Sequence, residues 1–507
     1  MSRTNLLVIL SDEHQAGMIA SAGDPIVSTP NLDRLCRRGT RFANAYTPSP
    51  ICVPARASLA TGLPVHLHRC WDNALAWDGS PEGWGHRLRR AGVRVESIGK
   101  LHFRDAASDC GFDRQGIPLH VAAGLGQVWG SVRDPLPASA GRSPLFDEIG
   151  PGDSRYNRYD RDVTALACRW LAEEAPAGDR PWVLFVGLVA PHFPLVVGER
   201  WLSHYPSERM PLPRLLPRDG HARHPWVERM ARFMDHDASF DDAVDGPTGD
   251  ARRRLAIACY LGLVSFMDDC VGRILAALEA GGLAASTTVV YSSDHGDNLG
   301  ARGLWNKCTL YRESSGVPMI VAGPDVPAGR VCETPVSLLD IHDTALACAG
   351  VAAPAIDASS VLASGAPLER ASLVDLARHA DRRERLALCE YHAVGSDAGA
   401  FRLCDADWAF HQAVGYAPEL FDLRRDPGEA YDLAGDPVHA RELARWRDRL
   451  ASLLDPVAVD RAAKRDQAAL VARVGGRECA LQLGPRGASP VPPDALAPAD
   501  AASDSPR

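Results

Sequence analysis

Short apolar stretches alternate along the chain with longer segments whose apolar residues recur every three to four positions. Leu6–Leu10 is apolar throughout and leads directly into polar residues, which predicts a buried first strand. Because strands that alternate with helices form parallel sheets, the pattern predicts an α/β fold with a large, mainly parallel sheet sandwiched by helices. The predicted strands are Leu6–Leu10, Val93–Ile98, Trp182–Val189, Thr287–Tyr291 and Met319–Val321, and the predicted helices are Thr29–Cys36, Gly85–Ala91, Asp160–Ala172 and Arg252–Leu278.

The pattern changes near Ser372, where shorter strands follow one another closely. We therefore expect an N-terminal α/β domain over residues 1–370 and a smaller C-terminal α+β domain with a small antiparallel sheet over 371–484. Residues 485–507 carry almost no apolar bulk, which predicts a disordered tail. The polar stretch 203–250 predicts a lid or an insertion. The predicted C-terminal elements are the strands Leu386–Tyr391, Ala400–Leu403, Trp408–Gln412 and Leu420–Leu423 and the helix Val438–Leu454.

Composition narrows the function classes. The 507 residues carry a net charge of −9, which does not suit a nucleic-acid-binding or anionic-membrane-binding protein. Uninterrupted apolar runs all stay below about 18 residues, so we expect no membrane-spanning helix. The first apolar run is too short for the core of a secretory signal. The 13 cysteines form no CxxC pair, and these features together predict a cytoplasmic protein.

Four predicted strands end in polar, reactive residues. Ligands of parallel sheets bind at the carboxyl ends of the strands, so these four ends predict one site rich in carboxylates, imidazoles and an ammonium group. Lysine is rare in this chain, at positions 100, 307 and 464 alone, so a retained lysine suggests a need for a compact ammonium group. The four strand ends are Asp12-Glu13, Gly99-Lys100-Leu101-His102, Ala190-Pro191-His192-Phe193-Pro194 and Ser292-Ser293-Asp294-His295-Gly296-Asp297.

Asp12, Glu13, Asp294 and His295 predict a cation site. Carboxylates that gather in one place repel each other unless a metal ion or a cationic side chain neutralises them. Oxygen ligands suit Ca²⁺ or Mg²⁺, and one imidazole also admits Mn²⁺. The alternatives are a solvated carboxylate at a helix start for Glu13 and a structural histidine for His295.

Cys52 lies in the most specific segment of the chain, Ser49–Gly62. The residues after Pro54 form helices well, which places Cys52 at or just before a helix N-terminus, where amide donors and the helix dipole favour anions. Arg56 follows one turn later. We interpret the other twelve cysteines as small buried hydrophobic residues.

With these residues in view, the chain resembles the formylglycine-dependent sulfatases of the alkaline phosphatase superfamily. Their maturation motif, C-x-P-x-R, is present as Cys52-Val53-Pro54-Ala55-Arg56, with Ala55 where serine is commonest. The resemblance extends across nearly the whole chain and implies an alkaline phosphatase-like fold. The other matching segments are Thr29–Asp33, Gly99–His102, Ser293–Asp297, Leu299-Gly300, Gly303–Lys307, Leu420–Leu423, Asp426-Pro427 and Leu433-Ala434.

The resemblance implies a role for each matched residue. Cys52, oxidised to formylglycine by a formylglycine-generating enzyme, is the nucleophile that attacks a small-molecule sulfate ester. One divalent ion, calcium before manganese or magnesium, is bound by Asp12, Glu13, Asp294 and His295; Glu13 stands where the family usually has Asp, Asn or Gln. The resemblance also implies that Arg56 and Lys100 stabilise the hydrated aldehyde and that His102 takes a proton during sulfate release. His192 and Lys307 are implied to bind the sulfate and to assist the leaving group.

Three further segments resemble the choline-sulfatase branch: Trp71–Ala74, Leu88–Gly92 and Cys389–Tyr391. This likeness implies that Asn73 and Glu390 contact substrate. Trp129 is a candidate wall for a trimethylammonium group. The alternative for Glu390 is a surface or salt-bridged strand residue. The implied leaving group is therefore a small alkyl alcohol, choline-like among others, or an aryl alcohol.

Two other functions stay open. A phosphonate monoester or phosphodiester hydrolase of the same superfamily shares the motif around Cys52, but that branch lacks the GKxH segment, so Lys100 and His102 favour sulfate. An inactive binding protein with an unconverted cysteine is the second alternative, and the intact set of catalytic residue types argues against it. The oligomeric state is open, a homo-oligomer included.

Overall fold

The computed structural model describes residues 3–139, 146–178, 180–241, 246–356, 368–485 and 489–492. Strands predominate at the centre of the N-terminal domain and again in the C-terminal domain. In chain order the strands are β1 (Asn5–Asp12), β2 (Gly39–Phe42), β3 (Ala45–Tyr46), β4 (Arg94–Lys100), β5 (Arg114–Leu119), β6 (Ile149–Pro151), β7 (Trp182–Pro191), β8 (Leu195–Val197), β9 (Thr287–Ser293), β10 (Met319–Ala322), β11 (Arg330–Cys332), β12 (Val336–Ser337), β13 (Ala387–Tyr391), β14 (Ala400–Cys404), β15 (Trp408–Ala413) and β16 (Glu419–Asp422).

The helices cover both faces of the main sheet and one side of the C-terminal domain. Their bounds are α1 (Pro30–Arg38), α2 (Cys52–Thr61), α3 (Val65–His68), α4 (Trp84–Arg90), α5 (Arg155–Arg169), α6 (Glu199–Leu202), α7 (Pro225–Phe233), α8 (Ala238–Asp241), α9 (Gly249–Ala280), α10 (Arg312–Ser315), α11 (Leu339–Cys348), α12 (Leu373–Arg378), α13 (Ala440–Leu453), α14 (Pro456–Arg473) and α15 (Arg477–Gln482), and α5 continues as a π-helical turn, Trp170–Glu174.

An eight-stranded sheet in the order β11-β2-β10-β9-β1-β7-β4-β5 forms the centre of the molecule. The five strands β9-β1-β7-β4-β5 are mutually parallel, with Val8 opposite Val290 on one side and Phe185 on the other. Strand β10 runs antiparallel between β9 and β2. The predicted large, mainly parallel sheet is therefore confirmed, with one reversed strand near its edge.

Alternate residues of β1 face opposite layers of helices. Leu7 and Ile9 pack in the layer that contains α1, α5 and α9, whereas Leu6, Val8 and Leu10 pack in the layer that contains α2, α4 and α11. A strand buried on both faces must be apolar throughout, which explains the apolar stretch at the start of the chain. The same burial forces the polar residues to the ends of the strand.

Helix α9 is long and apolar enough, by length and composition alone, to cross a membrane. The expectation of no membrane-spanning helix considered only uninterrupted apolar runs. The length and composition of α9 correct it, because this helix meets the criteria without containing such a run. The most apolar 18-residue window of α9 is 83% buried inside the protein, where it packs against α5 and β7. Its contact with the sheet therefore accounts for its composition.

The C-terminal domain contains the antiparallel sheet β13-β14-β15-β16. Trp446 and Leu450 of α13 pack with Phe401 and Phe410 of this sheet in one apolar cluster. Within 203–250 the structure places α7 and α8, and α7 buries Trp226 and Met230 beside Tyr391. Residues 242–245 of that stretch, and 486–488 and 493–507 of the predicted tail, lie outside the described residues.

One helix boundary and one edge strand show where the structure differs from the prediction. Helix α5 begins at Arg155, five residues before the predicted Asp160, because the Ser154 hydroxyl accepts a hydrogen bond from the Asn157 amide at 3.1 Å and caps the helix. Strand β5 was not predicted. It is a half-exposed edge strand that contains Gly116 and Pro118, so its pattern lacks the apolar character of the central strands.

Candidate active site

Cys52 is the first residue of α2, at the carboxyl edge of the sheet. Ile51 is extended with φ −159°, so the chain turns into the helix at Cys52 itself. Gly62 ends the helix in the left-handed conformation, at φ 68°. The thiol is 1% exposed, and burial, reinforced by Asp12, raises its pKa to about 12. As an unmodified thiol Cys52 therefore stays protonated near pH 7 and is a weak nucleophile.

Arg56, one turn after Cys52, joins the first and fourth strand ends. Its Nη2 donates to Asp12 Oδ2 and its Nε to Asp294 Oδ2, each at 2.8 Å. All three side chains are at most 1% exposed. Burial alone would raise the pKa of Asp12, but Lys100, His192 and Arg56 outweigh it and hold that pKa well below its usual range. The guanidinium thus holds both carboxylates in place.

Asp12, Asp294, His295 and Cys52 converge on one point, with ligand atoms within 4.8 Å of one another. His295 Nδ1 hydrogen bonds to the Gly296 carbonyl oxygen at 3.0 Å, which requires the proton on Nδ1 and leaves Nε2 with a free lone pair. That Nε2 lies 3.2 Å from Cys52 Sγ and 3.8 Å from Asp12 Oδ1. Two carboxylates and a correctly oriented imidazole fit a divalent cation.

Glu13 occupies a second position next to this point. Its backbone is left-handed, at φ 70°, and turns the side chain into the site. Oε2 lies 3.2 Å from Lys307 Nζ, while Oε1 is buried and has no hydrogen-bond partner among the described residues. Burial raises the pKa of Glu13 to about 8 despite the ion pair with Lys307. A buried carboxylate with an unpaired oxygen fits a cation ligand better than a solvated helix-start residue.

Lys307 Nζ and the His192 ring also lie beside the nucleophile position. Nζ lies 3.4 Å from Cys52 Sγ and 5.3 Å from the centre of the Phe193 ring. His192 Nδ1 hydrogen bonds to the Phe193 carbonyl oxygen at 2.8 Å, so Nε2 faces Glu13 Oε2 at 3.5 Å. Both neighbours of Lys307 have a left-handed backbone, Asn306 at φ 61° and Cys308 at φ 80°.

Lys100 and His102 complete the site at the end of β4. Lys100 Nζ lies 2.7 Å from Asp12 Oδ2, and the Lys100 carbonyl accepts Arg56 Nη1 at 3.0 Å. Burial, with Lys100 and Arg56 nearby, lowers the pKa of His102 well below its usual value, so the ring is neutral near pH 7. A neutral imidazole is able to accept a proton.

Taken together, the site surrounds one small volume with fixed positive groups. Lys100, Lys307 and Arg56 are buried, and burial keeps bulk water from screening their charge. Such a site stabilises negative charge that spreads over a tetrahedral anion and its leaving oxygen without reorganising during the reaction. The 13 predicted site residues differ in placement: ten gather here, whereas Asn73, Glu390 and Trp129 lie around the periphery.

Comparison with known proteins agrees with this geometry. The family model described as Sulfatase matches residues 4–351. The chain belongs to the sulfatase family. It is 29% identical over 493 residues to a choline-sulfatase of Rhizobium meliloti (strain 1021), covering 92% of this chain and 90% of the relative. It is 30% identical over 482 residues to a multifunctional alkaline phosphatase superfamily protein, PehA, of Trinickia caryophylli, covering 87% and 93%.

The solved structure of a phosphonate monoester hydrolase from Silicibacter pomeroyi shares the fold. Its TM-score is 0.69 at 24% identity, with 88% of this chain and 94% of that chain covered. The predicted alkaline phosphatase-like fold is thus confirmed. Membership of the family makes this sulfatase a sulfuric ester hydrolase.

Of the predicted substrate contacts, Asn73 is the nearest to Cys52. Its Oδ1 accepts the Val53 amide at 3.0 Å, so it caps the first turn of the nucleophile helix. Glu390 is fully buried: Oε1 pairs with His66 Nδ1 at 2.7 Å and Oε2 with His392 Nε2 at 3.3 Å. This is the salt-bridged alternative considered for that residue, and its role toward substrate stays a prediction.

Trp129 packs at the edge of an apolar cluster that contains Val394 and Met230. Its Nε1 donates to the Pro485 carbonyl oxygen at 3.0 Å, so the indole also holds the chain that leaves α15. Its role as a wall for a trimethylammonium group stays a prediction.

Two residues of the site, Tyr156 and Ser489, are not predicted by the sequence pattern. The Tyr156 ring meets the His192 ring edge-on at 5.9 Å, and the Ser489 hydroxyl lies 2.7 Å from His102 Nε2. Tyr156 is one of several apolar-face residues of α5, and Ser489 lies in the low-complexity tail, so neither carries a local signal. Only the fold brings them to the site.

Proposed function

We propose that this sulfatase hydrolyses the sulfate monoester of a small alkyl or aryl alcohol, with Cys52 converted to formylglycine and with one divalent cation. The observation that supports the proposal is the convergence around Cys52 Sγ, which lies 3.2 Å from His295 Nε2, 3.4 Å from Lys307 Nζ and 3.8 Å from Asp12 Oδ1. The sulfur stands in for the oxygen that formylglycine presents after hydration.

The cation would be bound by Asp12, Asp294 and His295, with Glu13 as the further ligand. We propose calcium, because carboxylate oxygens dominate the donor set, with manganese or magnesium as the alternatives that a single imidazole allows. When bound, the ion supplies Lewis-acid stabilisation of charge on the sulfate oxygens.

The remaining side chains act on the two ends of the ester. Arg56 and Lys100 hold the nucleophile side, where both contact Asp12. Burial alone would lower the pKa of Lys307, but its acidic neighbours Cys52, Glu13 and Asp12 raise that pKa well above the usual value, so the ammonium group stays charged. Its Nζ and His192 Nε2 would contact the leaving oxygen, and His102 would accept a proton when sulfate departs.

Turnover of three esters tests the proposal. The protein, produced with a formylglycine-generating enzyme, is assayed with an aryl sulfate, choline sulfate and an aryl phosphonate monoester, and mass spectrometry reports the state of residue 52. We expect kcat/KM for the better sulfate to exceed that for the phosphonate by about 100-fold, since specificity reflects differential transition-state binding. A converted protein that hydrolyses no sulfate ester would contradict the proposal.

The second candidate is a phosphonate monoester or phosphodiester hydrolase. The positively charged side chains around Cys52 suit any tetrahedral anion with one ester leaving group. This observation favours the second candidate. The reverse order of kcat/KM in the same assay would establish this function. Unconverted cysteine in protein from a host with the converting enzyme would instead favour an inactive binding protein.

We further propose a reducing, cytoplasmic compartment. All 13 cysteines are free thiols in the structure. Thiol titration of the denatured protein without reductant should find one thiol fewer than the 13 cysteines, because Cys52 alone is converted. A loss of two or more further thiols would indicate disulfides and an oxidising compartment.

A further inference from the structure

The chain returns to the active site after α15. The Leu483 carbonyl oxygen accepts the Trp129 amide at 3.3 Å, and the Pro485 carbonyl oxygen accepts Trp129 Nε1 at 3.0 Å. Farther along the chain lies a second anchored segment, Ser489–Pro492, here called the C-terminal strap. Val491 of the strap packs against the apolar cluster of the main sheet. The strap is therefore held by contacts of its own.

Ser489 of the strap connects two of the site's imidazoles. Its Oγ lies 2.7 Å from His102 Nε2, and its carbonyl oxygen accepts the Tyr156 hydroxyl at 2.6 Å. The Tyr156 ring in turn meets the His192 ring edge-on, with centres 5.9 Å apart and planes 82° apart. One residue of the strap thus contacts His102 directly and His192 through Tyr156.

The His102 ring depends on this contact. The side chain is 6% exposed, and Nδ1 is buried without a hydrogen-bond partner in the part of the chain that the structure describes. Ser489 Oγ is the hydrogen-bond partner of the ring within those same residues. His102 also has a left-handed backbone, at φ 56°, and its amide donates to the Leu119 carbonyl oxygen of β5 at 2.9 Å. The backbone of the turn is therefore anchored, whereas the ring relies on Ser489.

We propose that Ser489 is a positioning residue that sets the orientation of the His102 ring for proton transfer. This inference rests on the proposed function, which assigns the proton transfer to His102. An imidazole that rotates freely about its two side-chain bonds adopts the orientation for proton transfer only part of the time. A fixed hydrogen bond holds the ring in that orientation. Tyr156 holds the strap backbone in place for the same purpose.

Three full-length variants test the proposal: Ser489→Ala removes the hydroxyl, Ser489→Thr keeps it, and Ser286→Ala is the matched control. Ser286 is exposed, and its hydroxyl bonds only locally, to the Leu283 carbonyl oxygen. We expect Ser489→Ala to lower kcat about 10-fold, a part of the usual contribution of general acid–base catalysis. KM should stay within about twofold, because His102 acts in proton transfer. Ser489→Thr should restore most of kcat, and Ser286→Ala should match the wild type.

Two results would overturn the proposal. An unchanged or higher kcat in Ser489→Ala would show that the strap merely covers or blocks the site. A loss that Ser489→Thr does not repair would assign Ser489 a packing role.

An NMR measurement separates this inference from the proposed function. The ring ¹⁵N shifts of His102, assigned with His102→Asn, should change in Ser489→Ala and return in Ser489→Thr. If the wild type hydrolyses no sulfate ester, the proposed function fails while these spectra still establish the contact. Unchanged spectra would refute the contact whatever the activity.

Discussion

Two buried clusters of ionisable side chains lie within this sulfatase, one at the active site and one around Glu390. The active-site cluster contains Asp12, Glu13, Arg56 and Asp294 with their partners. The Glu390 cluster consists of His66, Glu390 and His392, where β13 adjoins the loop before Cys52: the Glu390 amide donates to the Pro48 carbonyl oxygen at 2.8 Å. Both clusters are closed to solvent.

The clusters differ in what remains unpaired. Each Glu390 oxygen faces one imidazole, so the carboxylate is satisfied from within the protein. The active-site cluster leaves Glu13 Oε1 without a partner among the described residues and directs the His295 Nε2 lone pair into the site. The Glu390 cluster also has an unpaired buried atom among the described residues, His392 Nδ1, but both oxygens of its carboxylate are paired. A buried carboxylate with both oxygens paired serves structure, whereas a buried carboxylate with a free oxygen beside an imidazole lone pair is prepared for a ligand.

The strongest test of this distinction is Cys52→Ala. We expect turnover to fall by about 10³-fold or more, because the variant removes the atom that forms the new bond. Cys259→Ala is the matched control, since Cys259 is equally buried within α9. Initial rates on an aryl sulfate measure both variants. Retained activity in Cys52→Ala would refute the nucleophile assignment.

Chelation should have the next largest effect. Removal of the cation should lower kcat about 100-fold, since the ion contributes several kcal/mol of charge stabilisation. It should also lower Tm, because a ligand of the folded state stabilises it. Calcium or manganese added back to the apoprotein should reverse both changes, and calorimetry should show no binding to Asp294→Asn. Activity that survives prolonged dialysis against chelator would argue against a catalytic cation.

His192→Ala should have an effect that depends on the leaving group. We expect a loss of about 100-fold on an alkyl sulfate, whose poor leaving group depends most on contacts to the leaving oxygen, and less than about tenfold on an activated aryl sulfate. The ratio of the two kcat/KM losses is the measured quantity. Equal losses on both esters would remove His192 from leaving-group assistance.

Glu390→Gln should change stability and leave catalysis almost unchanged. The lost pairing should lower the free energy of unfolding at pH 7 by about 1–3 kcal/mol, with kcat within about twofold. Burial would raise the pKa of Glu390, but His66 and His392 outweigh it and lower that pKa. A lowered folded-state pKa stabilises the fold above the unfolded value of about 4.3, so the difference between variant and wild type should shrink as the pH falls below it.

Urea unfolding at pH 7 and at pH 3.5 measures this difference. The opposite outcome is a loss of about tenfold or more in kcat/KM for choline sulfate with an unchanged free energy of unfolding. It would make Glu390 a substrate contact. The same variant therefore decides between the two interpretations of this residue.

Much of the site could be predicted because the fold concentrates polar residues at the ends of buried strands. Asp12, Lys100, His192 and Asp294 each end or follow a buried strand of the main sheet, and parallel strands bring those ends together. Cys52 and Arg56 have their own motif on one helix. Local pattern and topology point to the same edge of the sheet, and the structure brings these residues together there, while their roles stay predictions.

The remaining features depend on contacts between distant parts of the chain. Ser489 meets His102 across 387 positions, and Glu390 meets His66 across 324. No periodicity encodes such a contact, because it arises only when two domains pack. The reversed direction of β10 escaped prediction for a similar reason: a four-residue apolar strand has the same pattern in either direction.

The left-handed residues on both sides of Lys307 have a consequence for attempts to make this enzyme more heat-resistant. Such a conformation costs a non-glycine residue about 1–3 kcal/mol, so Asn306 and Cys308 store strain that the rest of the fold must offset. Glycine at position 306 would relieve the strain without removing apolar packing, whereas glycine at position 308 would also delete a buried side chain from the cluster that contains Leu310 and Tyr391. The exchange at position 306 would loosen the backbone next to the ammonium group, so thermal robustness and catalytic precision compete there.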